Sequence, residues 1–375
     1  MTSEWHEVPL RELVGYISKG IAPSYAEEAS ESTIRVLNQK CNRNFRISYG
    51  DSRLHDTRKK KVPPERYVKP DDILINSTGA GTAGRIAQIE DVPSATTIDG
   101  HMILIRSNGK VTQKFLGYAL KAHQWEVLQL DEGSTGQTEL NRDRLLDEIM
   151  INYPVSLDEQ NAIVGTLESI DRKLIVNEQL NDNLQQQAQA IYSSMFIDNP
   201  DPAWSHGHLS DLITVKYGKD HKKLADGIYP VYGSGGIMRY VERPLYNKES
   251  VLIPRKGTLN NVMYVNQPFW SVDTMFYTEM KLPNVAKFVY HFVKAKDLAS
   301  MNAGSAVPSM TTDILNAMEV VIPSASALEE FESLVAPMYE AMEANDVQSK
   351  ALSQMRDTLL PKLMSGEIDV SDIQL

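Results

Sequence analysis

The sequence predicts an α+β protein in which two α/β domains are joined by two long antiparallel helices that form a coiled coil. Residues 157–196 carry apolar side chains alternately three and four positions apart, which is the spacing of a coiled-coil seam. The same spacing returns 168 residues later, and the segments that precede the two helices also resemble each other. We therefore predict an internal duplication with pseudo-twofold symmetry, in which a globular part and then a helix occur twice.

The two helices are predicted over residues 155–197 and 324–365. About 40 residues at ~1.5 Å each make a rod of roughly 60 Å, which needs a partner helix to cover its apolar stripe. The predicted seam residues are Ile163, Leu167, Ile170, Leu174, Asn177, Asn181, Leu184 and Ile191 in the first helix, and Phe331, Val335, Met338, Met342, Asn345, Leu352, Leu359 and Leu363 in the second.

The polar residues within the seam predict how the helices are aligned. Antiparallel packing that sets position 163 opposite position 363 also sets Asn181 opposite Asn345. A shifted pairing would bury an amide against leucine, so the polar pair can fix the register at some loss of stability. The alternative is that these central positions are simply more hydrated.

The globular domains are predicted over residues 1–154 and 198–323, and residues 366–375 form a C-terminal tail. In the first domain, residues 72–75 and 101–105 are expected to be buried strands and residues 115–130 a helix. Residues 251–253 are the counterpart of the first of these strands. The segment KFLGYALKA from Lys114 resembles KFVYHFVKA from Lys287, which supports the duplication.

The net charge of −11 is distributed unevenly along the chain. The first helix carries 2 Lys and Arg against 6 Asp and Glu, the second carries 3 against 7, and the tail carries 0 against 3. The two globular domains are nearly neutral, so each can present a basic face while the acidic helices stay away from phosphate. The charge distribution is therefore compatible with DNA binding.

A basic segment covers residues 40–69, with ten Lys and Arg, three acids, and the aromatic residues Phe45, Tyr49 and Tyr67 interleaved. Such a segment is either a solvated surface loop or a phosphate-facing patch. A second feature of the same domain is the loop of small residues at 77–85, whose glycines let backbone amides approach a ligand closely.

Motifs for catalysis, cofactors and metals are missing from the sequence. We find no phosphate-binding GxxxxGK[ST] loop and no metal-ligand spacing of His and Cys. Asp71 and Asp72 lack the Glu-x-Lys that would complete a nuclease site, so a turn into a strand is the favoured interpretation. A single cysteine, no signal-peptide pattern and no apolar segment of ~20 residues together predict a soluble cytoplasmic protein. The missing motifs do not exclude an enzyme, but nothing in the sequence calls for one, and no catalytic, cofactor or metal residue is assigned.

Three segments resemble the specificity subunit of type I restriction–modification systems: the start LDEQ at Leu157 with its seam, the strand DILI at Asp72 with its glycine loop, and LLPKLMSGEI from Leu359. The resemblance covers essentially the whole chain. It implies a sequence-specific DNA-binding subunit that is not itself an enzyme. Each of its two target recognition domains would read one half of a bipartite target, and the helices would set the gap between the halves.

The resemblance also implies the partners. Two modification subunits, which bind S-adenosylmethionine and methylate adenine N6, would dock on the chain, and restriction subunits that use ATP and Mg would join them. None of these cofactors is expected to bind this chain directly. Double-stranded DNA is the expected ligand, and no membrane partner is expected.

DNA contacts are predicted at hydrogen-bond donors beside the glycine loops, at matching places in the two copies. These residues are Lys19, Thr78, Thr82, Arg85, Thr135 and Gln137 in the first domain, and Tyr217, Lys219, Arg255, Lys256, Asn260 and Ser305 in the second. For each of them the alternative is an ordinary polar surface residue.

Two other functional classes stay open at this stage. One is a stand-alone DNA nuclease or methyltransferase with diverged motifs, which activity of the purified chain would reveal. The other is a purely structural coiled-coil adaptor, which sequence-selective DNA binding alongside a methyltransferase partner would exclude.

Overall fold

The computed structural model describes residues 4–79, 81–132, 138–301 and 309–370. The chain divides into two compact units, one made of residues 1–176 and 348–375 and the other of residues 177–347. Each unit therefore contains one globular domain together with part of each long helix.

The first globular domain is built from short strands and short helices that precede the first long helix. In chain order they are β1 Trp5–Pro9, β2 Val14–Lys19, β3 Tyr25–Ala26, β4 Thr33–Leu37, β5 Asn42–Arg43, β6 Arg46–Ile47, β7 Arg53–Asp56, β8 Ile73–Asn76, β9 Ile86–Gln88, β10 Thr96–Ile98, β11 Met102–Ser107, α1 Gln113–Ala122, α2 Gln124–Val127, β12 Asp131–Glu132, β13 Glu139–Leu140, α3 Arg142–Glu148 and β14 Met150–Pro154.

The remainder of the chain repeats this plan between two long helices. Its elements are α4 Leu157–Ser193, β15 Ser205–His208, α5 Leu209–Leu212, β16 Ile213–Tyr217, β17 Asp226–Gly233, β18 Gly236–Val241, β19 Ser250–Pro254, β20 Met263–Val265, β21 Trp270–Ser271, β22 Met275–Met280, α6 Ala286–Lys294, α7 Thr312–Asn316, β23 Glu319–Ile322 and α8 Ala325–Met364. A π-helical turn at Ser194–Asp198 ends the first long helix.

Each of the two domains has its own central antiparallel sheet, and the two sheets have the same strand topology. The strand order is β2-β11-β8-β9 in the first domain and β16-β22-β19-β20 in the second. In each domain one face of the sheet packs against a helix with a buried apolar side, which is α1 in the first domain and α6 in the second. This matching topology confirms the fold class predicted from the sequence, two α/β domains joined by long helices.

The predicted helix over residues 115–130 is wrong in its extent. Helix α1 ends at Ala122, and His123 leaves the helical conformation before α2 begins at Gln124. The break lets the Gln124 side chain donate to the Gly84 carbonyl at 2.7 Å and accept from the Ile86 amide at 2.9 Å. A tertiary contact therefore overrides the helical pattern at a place where the sequence has neither glycine nor proline.

In unit 1 the two long helices contact each other through an apolar layer and a buried ionic cluster. Ile163 and Leu167 of α4 share a core with Leu360 and Leu363 of α8. The Asp171 carboxylate then accepts from Arg356 Nη1 at 3.1 Å. Residue numbers increase on one helix as they decrease on the other, which is antiparallel packing.

In unit 2 a polar layer lies between the same two helices. Asn345 Nδ2 donates to Asn181 Oδ1 at 2.8 Å, and Asn181 Nδ2 donates to Asp346 Oδ1 at 2.8 Å. The structure thus brings together the two asparagines that the sequence predicts to lie opposite each other. All sixteen predicted seam residues occupy buried or half-buried positions.

A buried histidine links the globular domain of unit 2 to both helices. His291 Nδ1 lies 2.8 Å from Gln189 Oε1, and Nε2 lies 2.9 Å from the Tyr339 hydroxyl. A neutral imidazole satisfies both neighbours, since Nδ1–H donates to the amide oxygen and Nε2 accepts from the hydroxyl. Burial lowers the pKa of His291 to about 4.

This shift predicts how stability depends on pH. An unfolded histidine has a pKa of ~6.5, so as pH falls the unfolded chain takes up a proton before the folded chain does. The stability that the neutral His291 contributes to the folded chain is therefore fully present above pH ~6.5 and is lost as pH falls towards 4. At pH ~5 this loss lowers the free energy of unfolding by about 2 kcal/mol. Urea unfolding near neutral pH and near pH ~5 should show a smaller pH dependence in His291→Gln than in the wild type. An identical pH dependence in the two proteins would contradict a buried neutral imidazole.

No helix in the described part of the chain combines the length and the apolar character needed to cross a membrane.

Candidate nucleic-acid interfaces

In both domains most of the predicted contact residues that the structure describes lie at or just beyond the ends of central-sheet strands. Strand β2 leaves the sheet at Gly20 and strand β16 leaves it at Gly218. The Gly20 amide donates to the Met102 carbonyl, and the Gly218 amide donates to the Met275 carbonyl. A Cβ atom at Gly20 would lie 2.1 Å from the Asp99 carbonyl, and one at Gly218 would lie 2.0 Å from the Val272 carbonyl. Only glycine fits such a close crossing of two chain segments.

A basic cleft of about 610 Å³ lies beside the end of β8 in the first domain. Its cationic side chains are Lys40, Arg43 and Arg85, and Thr82 adds a hydroxyl. The remaining lining residues are Gln39, Asn44 and Gly79. Two of the predicted contacts, Thr82 and Arg85, therefore lie together with two cations from the basic segment. Three cations without an acidic side chain in the lining make a cleft suited to a phosphate group.

The glycine loop gives this cleft its shape. Gly79 has φ of +115°, and a Cβ atom there would lie 2.3 Å from Thr82 Oγ1. The Arg85 guanidinium donates to the Gly81 carbonyl at 3.1 Å, which orients it along the loop. Any larger residue at position 79 would push Thr82 out of its place.

The opposite wall of the cleft is the β5–β6 hairpin. Its two turn residues, Asn44 and Phe45, have φ of 53° and 61°, the left-handed pair that a tight two-residue hairpin needs. Asn42 at its base is buried and donates to the Arg85 carbonyl at 2.8 Å. This bond ties the hairpin that carries Arg43 to the loop that carries Arg85. The sequence predicts neither this hairpin nor the hydrogen bond from Asn42, because Asn-Phe is not a typical hairpin turn.

Thr78 and Lys19 lie outside this cleft. The Thr78 hydroxyl is 2.8 Å from His101 Nδ1, and Lys19 forms an ion pair with Glu139. Lys19 lines a second cleft, in which Glu132, Glu139 and Asp143 offset the cations. This mixed charge suits phosphate less well than the first cleft does.

In the second domain, Tyr217, Arg255 and Lys256 form a cationic and aromatic face, in which Tyr217 and Lys256 are exposed and Arg255 is half-buried. The Arg255 guanidinium lies over the Tyr217 ring at 5.4 Å from its centroid, and its Nη1 donates to the Asp273 carbonyl at 3.4 Å. The backbone amides of Arg255 and Lys256 both donate to the Thr274 carbonyl. The planar guanidinium is held in place by its neighbours while Lys256 is exposed to solvent.

The structure describes two further predicted contact residues of this domain, Lys219 and Asn260, and different interactions hold them in place. Lys219 is exposed, and its carbonyl accepts from Trp270 Nε1 at 2.8 Å, so its backbone is anchored while its ammonium is solvated. The Asn260 side chain instead donates to Asp297 at 3.0 Å and accepts from the Ala299 amide at 2.9 Å. It joins two loops, which favours a structural role.

Three predicted contacts, Thr135, Gln137 and Ser305, lie outside the described residues.

The two interpretations of the basic segment each apply to part of it. Lys40 and Arg43 line the cleft, whereas Arg58 pairs with Asp56 and Lys60 donates to the Ala22 carbonyl. The segment is therefore partly a candidate phosphate site and partly surface structure.

Asp71 and Asp72 form a turn, as the sequence favours. Asp71 has φ of 67°, and Asp72 accepts two hydrogen bonds from Arg106, each 2.7 Å long. Within residues 4–79, 81–132, 138–301 and 309–370, no group of three or more His, Cys, Asp and Glu side chains could hold a metal ion.

Comparisons with known proteins place this architecture in a family. The family model for the type I restriction modification DNA specificity domain matches twice, over residues 2–186 and 203–331. The MjaIX specificity subunit of Methanocaldococcus jannaschii is 24% identical over 323 residues, which is 74% of each chain. The HindI specificity subunit of Haemophilus influenzae is 33% identical over 92 residues, 24% of this chain and 18% of that one.

A solved structure supports the fold. The S subunit of the type I restriction–modification system from M. genitalium superposes with a TM-score of 0.61 over 96% of both chains, at 18% identity. The family model covers well over half of the chain. The chain therefore belongs to the type I restriction modification DNA specificity family and is a DNA sequence-recognition subunit.

Proposed function

We propose that each globular domain reads one half of a bipartite DNA target through the face at its strand ends. The observation that carries this proposal is the convergence of Lys40, Arg43 and Arg85 in one cleft beside the glycine loop. Phosphate contacts position a protein on the duplex, and side chains beside them read base edges. In the second domain, Tyr217, Arg255 and Lys256 take the corresponding role.

The two domains have different residues at these equivalent places. The loop after β8 is rich in glycine and ends in Arg85, whereas the loop after β19 begins with Arg255 and Lys256. Different side chains on the same framework imply that the two half-sites differ in sequence. The target is accordingly proposed to be bipartite and asymmetric.

The continuous helices α4 and α8 are proposed to set the gap between the half-sites. Each helix contributes residues to both units. The Asn181–Asn345 layer would fix their register, because a shifted pairing leaves half-buried amides without partners. Half-site centres on B-DNA are ~34 Å apart for each helical turn between them, so the register of the helices would control the gap.

The chemistry is proposed to belong to partner subunits. Two modification subunits with S-adenosylmethionine would methylate adenine N6, and restriction subunits would use ATP and Mg. The alternative is a nuclease or methyltransferase within this chain. Purified chain incubated with DNA and either S-adenosylmethionine or Mg²⁺ should leave the DNA unchanged. Adding the modification subunit together with S-adenosylmethionine should produce methylation of one target sequence.

A domain exchange tests the proposed division of the target. Replacing residues 1–154 by the corresponding domain of another specificity subunit should change one half-site and leave the other half-site and the gap unchanged. Methylome sequencing of a host that carries the hybrid and its modification subunit would show the new target. The wild-type chain in the same host is the control. A hybrid that rewrites both half-sites would contradict one domain per half-site.

A further inference from the structure

The edge of the smaller sheet in the second domain exposes two large apolar side chains. Ile237 is 48% exposed and Met238 is 61% exposed, both at the start of β18. This strand is the edge of the sheet β18-β17-β21. Large exposed apolar side chains on an edge strand are unfavourable in water unless something covers them.

A β-bulge re-aims one of these two side chains, that of Met238. Tyr232 pairs with Ile237 and Val231 pairs with Arg239, so Met238 is an extra residue without an opposite partner on β17. Successive residues of a regular strand point to opposite faces, and a bulge re-aims the side chain at its position. Gly233 of β17 makes room for the Met238 side chain, because a Cβ atom at Gly233 would lie 2.5 Å from the Met238 sulfur.

The turn that leads into this bulge packs on the loop with the predicted cations. The Ser234 carbonyl accepts from Asn261 Nδ2 at 2.8 Å. A Cβ atom at Gly257 would lie 2.6 Å from Ser234 Oγ, so the loop that begins at Arg255 and Lys256 approaches the turn closely. The bulge that carries Met238 therefore follows a turn that contacts the candidate interface of this domain.

We propose that Met238 enters the major groove of the half-site read by the second domain and contacts the 5-methyl group of a thymine. This inference rests on the proposed function. The major groove admits a two-stranded β-ribbon, and the thymine methyl is the apolar group that it presents. Arg255 and Lys256 complement the phosphates beside the groove. Arg239, the cation of β18 itself, is held by Asp226 at 2.8 Å, so Met238 is the side chain that this part of the strand offers to a ligand.

Duplexes in which deoxyuridine replaces thymine test the contact, because uracil pairs with adenine and lacks only the methyl group. The chain in complex with its modification subunit is titrated with its own target, in which each thymine of the second half-site is replaced in turn. Wild type should bind one of these duplexes about fourfold more weakly, the effect of one buried methyl group. Met238→Ala should bind the thymine duplex about fourfold more weakly and should not discriminate between the two.

Matched variants separate this contact from general effects. Met238→Leu should retain the discrimination. Gly233→Ala, which displaces the Met238 sulfur, should lose it, while Gly235→Ala has open space around its Cβ and should not. Ile228 is 77% exposed near the other end of the same hairpin, so Ile228→Ala should bind as wild type does.

Two results would overturn the inference while leaving the proposed function intact. One is wild-type binding that is insensitive to deoxyuridine at every position. The other is a Met238→Ala complex that discriminates as the wild type does. A wild-type complex without selective binding to any target would instead overturn the proposed function.

Discussion

Replacing Asp171 by alanine is expected to lower the free energy of unfolding by about 3 kcal/mol, because it leaves two cations without their shared carboxylate. Asp171 accepts from Lys121 at 3.0 Å, from the Tyr118 hydroxyl at 2.9 Å and from Arg356 at 3.1 Å. The Lys121, Asp171 and Arg356 side chains are only 10%, 18% and 17% exposed. Removing one partner of such a cluster strands the others in a poorly solvated place.

The acid–base properties of the cluster agree with this arrangement. Burial opposes ionisation of Asp171, but Lys121 and the three hydrogen bonds outweigh it and hold the pKa of Asp171 below its usual value. Burial lowers the pKa of Lys121, and Asp171 partly offsets that effect. The carboxylate therefore offsets part of the cost of burying the Lys121 ammonium, and it pairs with the permanently charged Arg356.

The measurement is urea-induced unfolding followed by circular dichroism. Asp357→Ala is the matched control, since Asp357 also pairs with Arg356 but is 66% exposed. We expect it to change the free energy of unfolding by less than about 1 kcal/mol. Equal effects of the two substitutions would show that the buried carboxylate is no more important than the exposed one.

The helices and the central sheets could be predicted because their signals are local. Heptad spacing determines α4 and α8, and their bounds differ from the predicted ones by a few residues. Strand β8 likewise follows from one short apolar run. The break at His123 could not be predicted, because its cause is a bond between Gln124 and a loop 40 residues earlier in the chain.

The candidate sites were predictable only in part, for a related reason. Glycine loops identify where the backbone can come close to a ligand, which is why the sequence predicts contacts at Thr82 and Arg85. The partnership of Arg85 with Lys40 and Arg43 depends on a hairpin whose turn, Asn44-Phe45, has no typical turn sequence. The Met238 bulge depends on a shift of register between two strands, which single-strand patterns do not encode.

The basic cleft should supply a large share of the electrostatic affinity for DNA. Replacing Lys40, Arg43 and Arg85 together by alanine should weaken binding of the assembled complex by about 100-fold near 0.15 M salt. If each of the three cations neutralises one phosphate, the slope of log K against log salt should become less steep by about 2.7. Titrations of one target duplex over a range of salt concentrations give both quantities.

The charge-matched control comes from the same basic segment. Lys59, Lys61 and Lys69 are exposed and do not line the cleft, so replacing them by alanine removes equal charge. Exposed charges farther than the Debye length of ~8 Å from phosphate are largely screened, so this variant should lose only a few-fold in affinity. Equal losses in the two variants would mean that net charge alone attracts DNA. A much greater loss in the cleft variant, with the steeper slope retained by the control, would mean that phosphate occupies the cleft.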